Sequence, residues 1–205
     1  RFIRYFKSSN NNFRVRSSFN DKDYPYYFAK VESVNSKLVE FSDLNIDIGV
    51  NIDVFPIDGV PENNKLFNKL FNKVKFHRNI ILAKTIKVNF KNRSLIKNFI
   101  LIFFKIIFFF VDYRKVIKSM NTLLIRNKFS KSKYVMAMSF PAIKRKQKLH
   151  RFYYEEFIDV TFETKKYKAI KGYHRYLQMQ YGNYMKLPPK NQRITHHSYK
   201  AYILK

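Results

Sequence analysis

Between residues 49 and 57 apolar and polar positions alternate. Val50, Ile52 and Val54 fall on one side, and Asn51, Asp53 and Phe55 on the other. A period of two predicts a strand that carries Asn51 and Asp53 together on one face, opposite the aliphatic one. Pro56 ends the ladder and Asp58-Gly59 reads as a turn. An aromatic-rich run at 24–31, bounded by Asp21-Lys22-Asp23 and Ser33, predicts a second strand, and 37–41 a third. After residue 62 the period lengthens. Leu66, Leu70, Val74 and Ile81, with Phe67 and Phe71, recur at three- and four-residue intervals, which predicts a helix. Ser94 caps a second helix running to residue 110. Asp112 caps a third, with Val116, Met120, Leu123 and Leu124 on one face. Strand signals return at 134–140, ended by Pro141, and at 158–162 and 167–170, which pair as a hairpin. Residues 173–181 predict a short helix closed by Gly182, and the stretch beyond it, around Pro188-Pro189, is irregular.

These elements predict an α+β protein. Its 205 residues suit a single domain with a strand-rich part at 1–61, a basic helical insertion at 62–130 and a C-terminal part at 131–205. One segment fits this scheme less simply. Residues 99–111 are apolar except for Lys105, yet thirteen residues fall short of the roughly twenty needed to span a bilayer. A buried or partner-covered helix, an interfacial helix on an anionic membrane and a true span are the readings it leaves.

Charge changes the picture more than composition does. The chain has 41 Lys and Arg against 14 Asp and Glu. Residues 1–61 are balanced, eight against eight, whereas 62–151 carry 23 cations against only Glu62 and Asp112. The helical part therefore attracts anionic partners, while the acids gather in the strand-rich part. No nucleic-acid-binding module is recognisable, so the charge alone predicts no specific nucleic acid. The chain has no Cys, which excludes disulfides and thiolate metal sites. It begins with Arg1 rather than Met, and no signal-peptide pattern follows.

Asp53, at the end of a strand beside a Pro and a Gly, has the placement of a carboxylate that holds Mg²⁺ against phosphate oxygens. On pattern alone an Asp near a strand end is more often a solvated or capping acid, and Asp58-Gly59 an ordinary turn. Downstream, Gly172-Tyr-His-Arg-Tyr-Leu177, Tyr181-Gly-Asn-Tyr-Met-Lys-Leu-Pro-Pro189 and Arg193-Ile-Thr-His-His197 bring Tyr, Arg and His onto an irregular stretch. Such groups can grip a phosphate, a sugar hydroxyl or an aromatic base. The His196-His197 pair is a poor zinc site: neighbours on a strand point apart, the chain has no Cys, and no third His is near.

Taken together these residues resemble a family. The run from Asn51 to Pro61, with Phe28-Ala-Lys-Val31 and Asn35-Ser-Lys-Leu-Val-Glu40 before it, is similar to the central block of the LicD family of lipopolysaccharide cholinephosphotransferases and related phosphotransferases. Phe162-Glu163, Gly172-Tyr173, Tyr176-Leu177, Tyr181-Gly182, Tyr184-Met185, Pro188-Pro189, Arg193 and His196-His197 are similar to its closing block. The two blocks stand in the family's order and take in nearly the whole chain.

The resemblance implies a nucleotidyltransferase-like mixed sheet, incomplete at the N-terminus. It implies transfer of a phosphorylated alcohol, typically phosphocholine from CDP-choline, to a hydroxyl of a cell-surface glycan such as lipopolysaccharide, teichoic acid or capsule. Asp53 is then expected in a site for Mg²⁺ or Mn²⁺. Lys30, Asp58, Tyr181, Arg193 and His196 are expected to position donor phosphates and acceptor. Nucleotide-activated donors place the protein in the cytoplasm or at the inner face of the membrane. The pattern departs from the family's in one important respect: the Pro-Trp and clustered aspartates that precede the central block are missing, as if the chain were a fragment or a truncated protein. A non-catalytic remnant that binds membrane, glycan or a partner is the alternative. Ser36 replaces the usual Thr, and Asn183 a frequent Asp.

Overall fold

The structure, a computed structural model, describes residues 12–22, 24–40, 48–91, 93–139, 143–193 and 199–204. His196, among the expected site residues, lies outside them. The described residues form a mixed α+β protein with four α-helices and several small antiparallel sheets. Contacts gather the chain into two units. The first comprises Arg1–Phe55, Lys73–Thr122 and Thr195–Lys205, and the second Pro56–Asn72 and Leu123–Ile194.

In the first unit, β1 (Phe13–Arg16), β2 (Ala29–Ser33) and β4 (Asn51–Val54) make a three-stranded antiparallel sheet with β2 at its centre. A second sheet pairs β3 (Ser36–Glu40) with β10 (Tyr199–Ile203). The strand expected at 24–31 begins only at Ala29. Residues 24–28 instead cross one face of the sheet, with Tyr24, Tyr27 and Phe28 buried. β10 falls where an irregular tail was expected; its alternation of Tyr199, Ala201 and Ile203 with Lys200 and Tyr202 gains a ladder only from β3, distant in sequence.

Helix α1 (Asn64–Thr85) starts where the Asn63 side chain accepts the backbone N–H groups of Lys65 and Leu66 at 2.9 and 3.1 Å. Its buried seam is Phe67 and Phe71, grouped with the second unit, then Val74, Arg78 and Ile81 in the first. Leu66, expected on that seam, is exposed, because the stripe passes through Phe67 one residue on. Arg78 is buried by using Tyr27, whose hydroxyl accepts its Nε at 2.8 Å.

Helix α2 (Leu95–Ile107) stops short of residue 110, and Phe108–Phe110 form a turn. Ser94 stands at its N-cap without a side-chain bond. The buried Asn98 bonds the N–H and C=O of Asn89 and the C=O of Arg93, and so ties α2 to the loop before it. Helix α3 (Tyr113–Leu124) is capped as expected, with Asp112 accepting the Arg114 N–H at 2.9 Å. Ile117, Met120 and Leu124 are its buried positions. Among the described residues no helix is long and apolar enough to cross a membrane.

The second unit holds β5 (Asp58–Val60), β6 (Tyr134–Met136) and β7 (Leu149–His150) in one antiparallel sheet, the hairpin β8 (Phe157–Phe162) and β9 (Lys165–Ile170), and helix α4 (Tyr173–Tyr181). The hairpin and α4, closed by Gly182 at φ 70°, match expectation. β6 is shorter than the 134–140 expected. Val135, Leu149 and Tyr154 make the core, with Phe129, Ile170, Tyr176 and Met179 packed on it. The expected turn at Asp58-Gly59 is a strand instead, with Asp58 paired to Met136 and Gly59 to Val135. Gly59 serves close approach: a Cβ there would lie inside contact distance of Ser132 Oγ and 2.5 Å from the Asn127 carbonyl.

Candidate functional site

Each strand of the β1–β2–β4 sheet contributes two polar residues spaced by two: Arg14 and Arg16, Lys30 and Glu32, Asn51 and Asp53. The register sets them in two rows, Arg14–Glu32–Asn51 and Arg16–Lys30–Asp53. Directly opposed residues of antiparallel strands share a face, so all six side chains stand on one side of the sheet. Asn51 and Asp53 share a face as expected. The aliphatic side of β4 is the open one, with Ile52 largely exposed.

The network is densest at its centre. Glu32 is fully buried. Its Oε1 takes Arg14 Nε at 2.9 Å and lies 3.5 Å from Arg16 Nε, and its Oε2 takes the Gly49 N–H at 2.7 Å. A carboxylate so far from water persists because two guanidiniums and an amide replace its hydration. Gly49 gives its amide this reach, since a Cβ there would clash with the Ser33 carbonyl. Arg16 also pairs with Asp21 at 2.7 Å.

Lys30 is buried, and its Nζ donates to Asn51 Oδ1 at 2.8 Å and Asp53 Oδ1 at 2.6 Å. The Asp53 side chain is 36% exposed, so the pair joins a sheltered ammonium to a carboxylate that solutes can reach. The 24–28 segment roofs these cations with aromatic rings. Lys30 Nζ stands 5.1 Å from the Tyr26 ring centre and 5.5 Å from that of Phe28, and the Arg16 guanidinium 5.5 Å from Tyr24. Tyr24 is buried with an unpartnered hydroxyl. Burial, then the neighbouring Tyr26, Asp53 and Glu32, push its pKa far up, so it remains a neutral phenol.

Of the residues expected from sequence, the structure brings Lys30 and Asp53 into contact. Asp58 belongs to the second unit. Its carboxyl is raised to about 7 by burial, opposed by the Met138 N–H, and its Oδ2 has no hydrogen-bond partner. Tyr181 ends α4 and is exposed, and Arg193 is exposed with its Nε on the Pro188 carbonyl at 2.7 Å. Glu32, Arg14 and Arg16 escaped the sequence reading. Their signal is the i, i+2 spacing of charges on flanking strands, which becomes informative once the three strands are known to be neighbours.

The arrangement can hold an anion on an ammonium whose carboxylate partner accepts a proton or a cation. A divalent metal needs more. Asp53 is one carboxylate with an oxygen already held by Lys30. Among the described residues no group of three or more His, Cys, Asp or Glu could hold a metal ion. The described residues therefore do not by themselves fit a magnesium site.

No family model matches the chain and no solved structure does. The chain is 30% identical over 158 residues to the lipopolysaccharide cholinephosphotransferase LicD of Haemophilus influenzae. The match takes in 75% of this chain and 57% of that protein, so the chain spans somewhat more than half the length of its relative.

Proposed function

The chain belongs to the LicD family, and from that premise we propose that it acts as a transferase moving a phosphorylated alcohol, phosphocholine from CDP-choline, onto a hydroxyl of a cell-surface glycan. The similarity over 158 residues carries the reading. The Lys30–Asp53 pair supports it, because a sheltered ammonium beside a reachable carboxylate suits a phosphate-bearing substrate.

In this reading Lys30 donates to the donor's phosphate oxygens, and Arg16 and Glu32 keep Lys30 and the β2 backbone in place. Asp53 orients Lys30 and faces the incoming hydroxyl. Asp58, Tyr181 and Arg193, which belong to the second unit, are proposed as substrate-binding residues from the family resemblance alone. The aromatic rings about Lys30 keep water from the ammonium, which strengthens its hold on an anion. Mg²⁺ or Mn²⁺ is proposed from the family resemblance. A nucleotide-activated donor is proposed to place the protein in the cytoplasm or at the inner face of the membrane.

The test is release of CMP from CDP-choline in the presence of a glycan acceptor, with Mg²⁺, with Mn²⁺ and with chelator. The chain is assayed as it stands and, where its reading frame continues upstream of Arg1, with that segment included. Turnover that Asp53→Asn and Lys30→Met each lower by at least about a hundredfold, with the fold intact, supports the reading. Absence of turnover in both forms across several CDP-alcohols overturns it in favour of a binding protein.

A further inference from the structure

Helix α2 turns its apolar side outward. Ile96, Phe99, Ile100, Phe103 and Ile107 fall at three- and four-residue spacings along one face, and all five are exposed, Phe103 at 60%; Phe110, in the turn after the helix, is 95% exposed. The opposite side is the one that packs, with Asn98 buried and Leu101, Lys105 and Phe108 partly covered. Such a stripe on a soluble surface marks a place where something else sits.

The surrounding charge says what. Residues 84–118 carry nine Lys and Arg against a single acid, Asp112. Two such faces brought together would set cation against cation. Crowding of cations is already felt within the chain: burial, then the Lys84 ammonium, lowers the pKa of Lys105. Lys84 reaches over to donate to the Phe109 carbonyl at 2.9 Å, next to the exposed rings of Phe109 and Phe110. A groove of about 290 Å³ between α1 and α2 repeats the pattern, with Leu82, Ala83, Ile86, Leu101 and Phe104 as apolar lining and Arg93 and Lys97 as cations. Apolar wall beside fixed cation is the complement of an acyl chain beside a phosphate headgroup.

Length decides how such a helix meets lipid. Thirteen residues rise about 20 Å, against a hydrocarbon core of about 30 Å. The helix is too short to cross, and its polar anchors, Asn98 and Lys105, lie on the side that faces the protein. It suits a position in the plane of the interface.

We infer that α2, with the turn that follows it, is a membrane-docking element that lies in the headgroup region of an anionic bilayer, with Phe99, Phe103 and Phe110 entering the acyl boundary and Lys84 and Lys97 meeting phosphates. The inference stands apart from the transferase reading, because its test measures lipid binding and not turnover.

The full chain is floated with vesicles of phosphatidylcholine alone and of phosphatidylcholine with phosphatidylglycerol, at low and high salt. Binding to the anionic vesicles that persists at high salt is expected. The double substitution Phe99→Ser with Phe103→Ser should weaken it at least about tenfold at high salt. The chain has no Trp, so Phe103→Trp is a clean depth probe. Its emission should shift to the blue on anionic vesicles, while Phe152→Trp, at an exposed site in the second unit, should not shift. Binding that disappears at high salt and ignores the serine pair would reduce the effect to the attraction of any strongly basic protein and overturn the inference. Emission of Phe103→Trp that responds to protein concentration and not to vesicles would also overturn it, in favour of a second copy of the chain.

Discussion

The charged face of the β1–β2–β4 sheet is covered, and the apolar face of α2 is open. Lys30 is 6% exposed and Glu32 0%, while Phe103 is 60% exposed. Hydropathy alone would assign these residues the other way round. The sheet face tolerates burial because every charge at its centre meets an opposite charge, an amide or an aromatic ring within reach. The helix face has no such internal partner, and its exposure points outward to one. Burial here follows whether a group's chemistry is completed inside the protein, with the residue's own polarity second.

The sharpest way to break that comparison is to remove Glu32. Glu32→Ala leaves the Arg16 guanidinium, whose side chain is 17% exposed, without its central carboxylate, and leaves the Gly49 N–H unbonded. A loss of about 3–5 kcal/mol is expected in denaturant unfolding. Glu32→Gln, which keeps the shape and one acceptor, should cost less. A loss below about 1 kcal/mol for the alanine would mean that the face is hydrated and the contrast with α2 is false.

Asp58 supplies the case in between, an acid buried without a partner for one oxygen. Its folded pKa is about 7, above the usual 3.8. The folded state therefore binds the proton more tightly than the unfolded one, and stability is full below about 4 and falls as pH rises toward 7. Asp58→Asn should flatten that decline and be the more stable form at alkaline pH, by on the order of 2–4 kcal/mol. Paired denaturation curves at acid and alkaline pH measure it. Identical slopes in the two proteins would show Asp58 to be solvated.

Lys30→Met keeps the aliphatic stem under Tyr26 and Phe28 but leaves Asp53, already part-exposed, to be solvated by water. About 1–2 kcal/mol of stability should go, far less than the accompanying loss of turnover under the proposed function. A stability loss equal to that of Glu32→Ala would make Lys30 a structural ion and weaken its assignment to substrate.

The smallest effect is expected on the open side. Phe99→Ser with Phe103→Ser removes two large rings, yet stability in the absence of lipid should change by no more than about 0.5 kcal/mol, because both are already in water. A loss of several kcal/mol would show that the face is packed in solution, and would end the comparison.

Local pattern was enough wherever an element closes on itself. The β8–β9 hairpin, the Asp112 cap of α3 and the stop of α4 at Gly182 depend on neighbours within a few residues, and all were legible. The helix and strand periods likewise assigned α1 to α3 and β4. The block around Asp53 pointed to the family, and the similarity to the Haemophilus protein bears that out. Where the reading went astray, the missing information was distant in sequence. Asp58-Gly59 looks like a turn until Met136 and Val135 arrive to pair with it and Ser132 presses on the glycine. Tyr24 to Phe28 look like strand until the sheet beneath offers cations for their rings. β10 has no pattern of its own that survives without β3.

By itself, then, the amino-acid order determined the periods, the breaks and the separation of charge, since these follow from residues a few bonds apart. It also put Asn51 beside Asp53 on one face, because strand geometry leaves no other choice. Only the tertiary structure decided which charges meet. Arg14, Arg16, Lys30, Glu32 and Asp53 come from three strands spread over about forty residues, and a shift of one position in either register would turn their side chains to opposite faces of the sheet. The same holds for α2: its apolar stripe is written in the sequence, but whether that stripe faces the protein or the outside depends on which side Asn98 anchors.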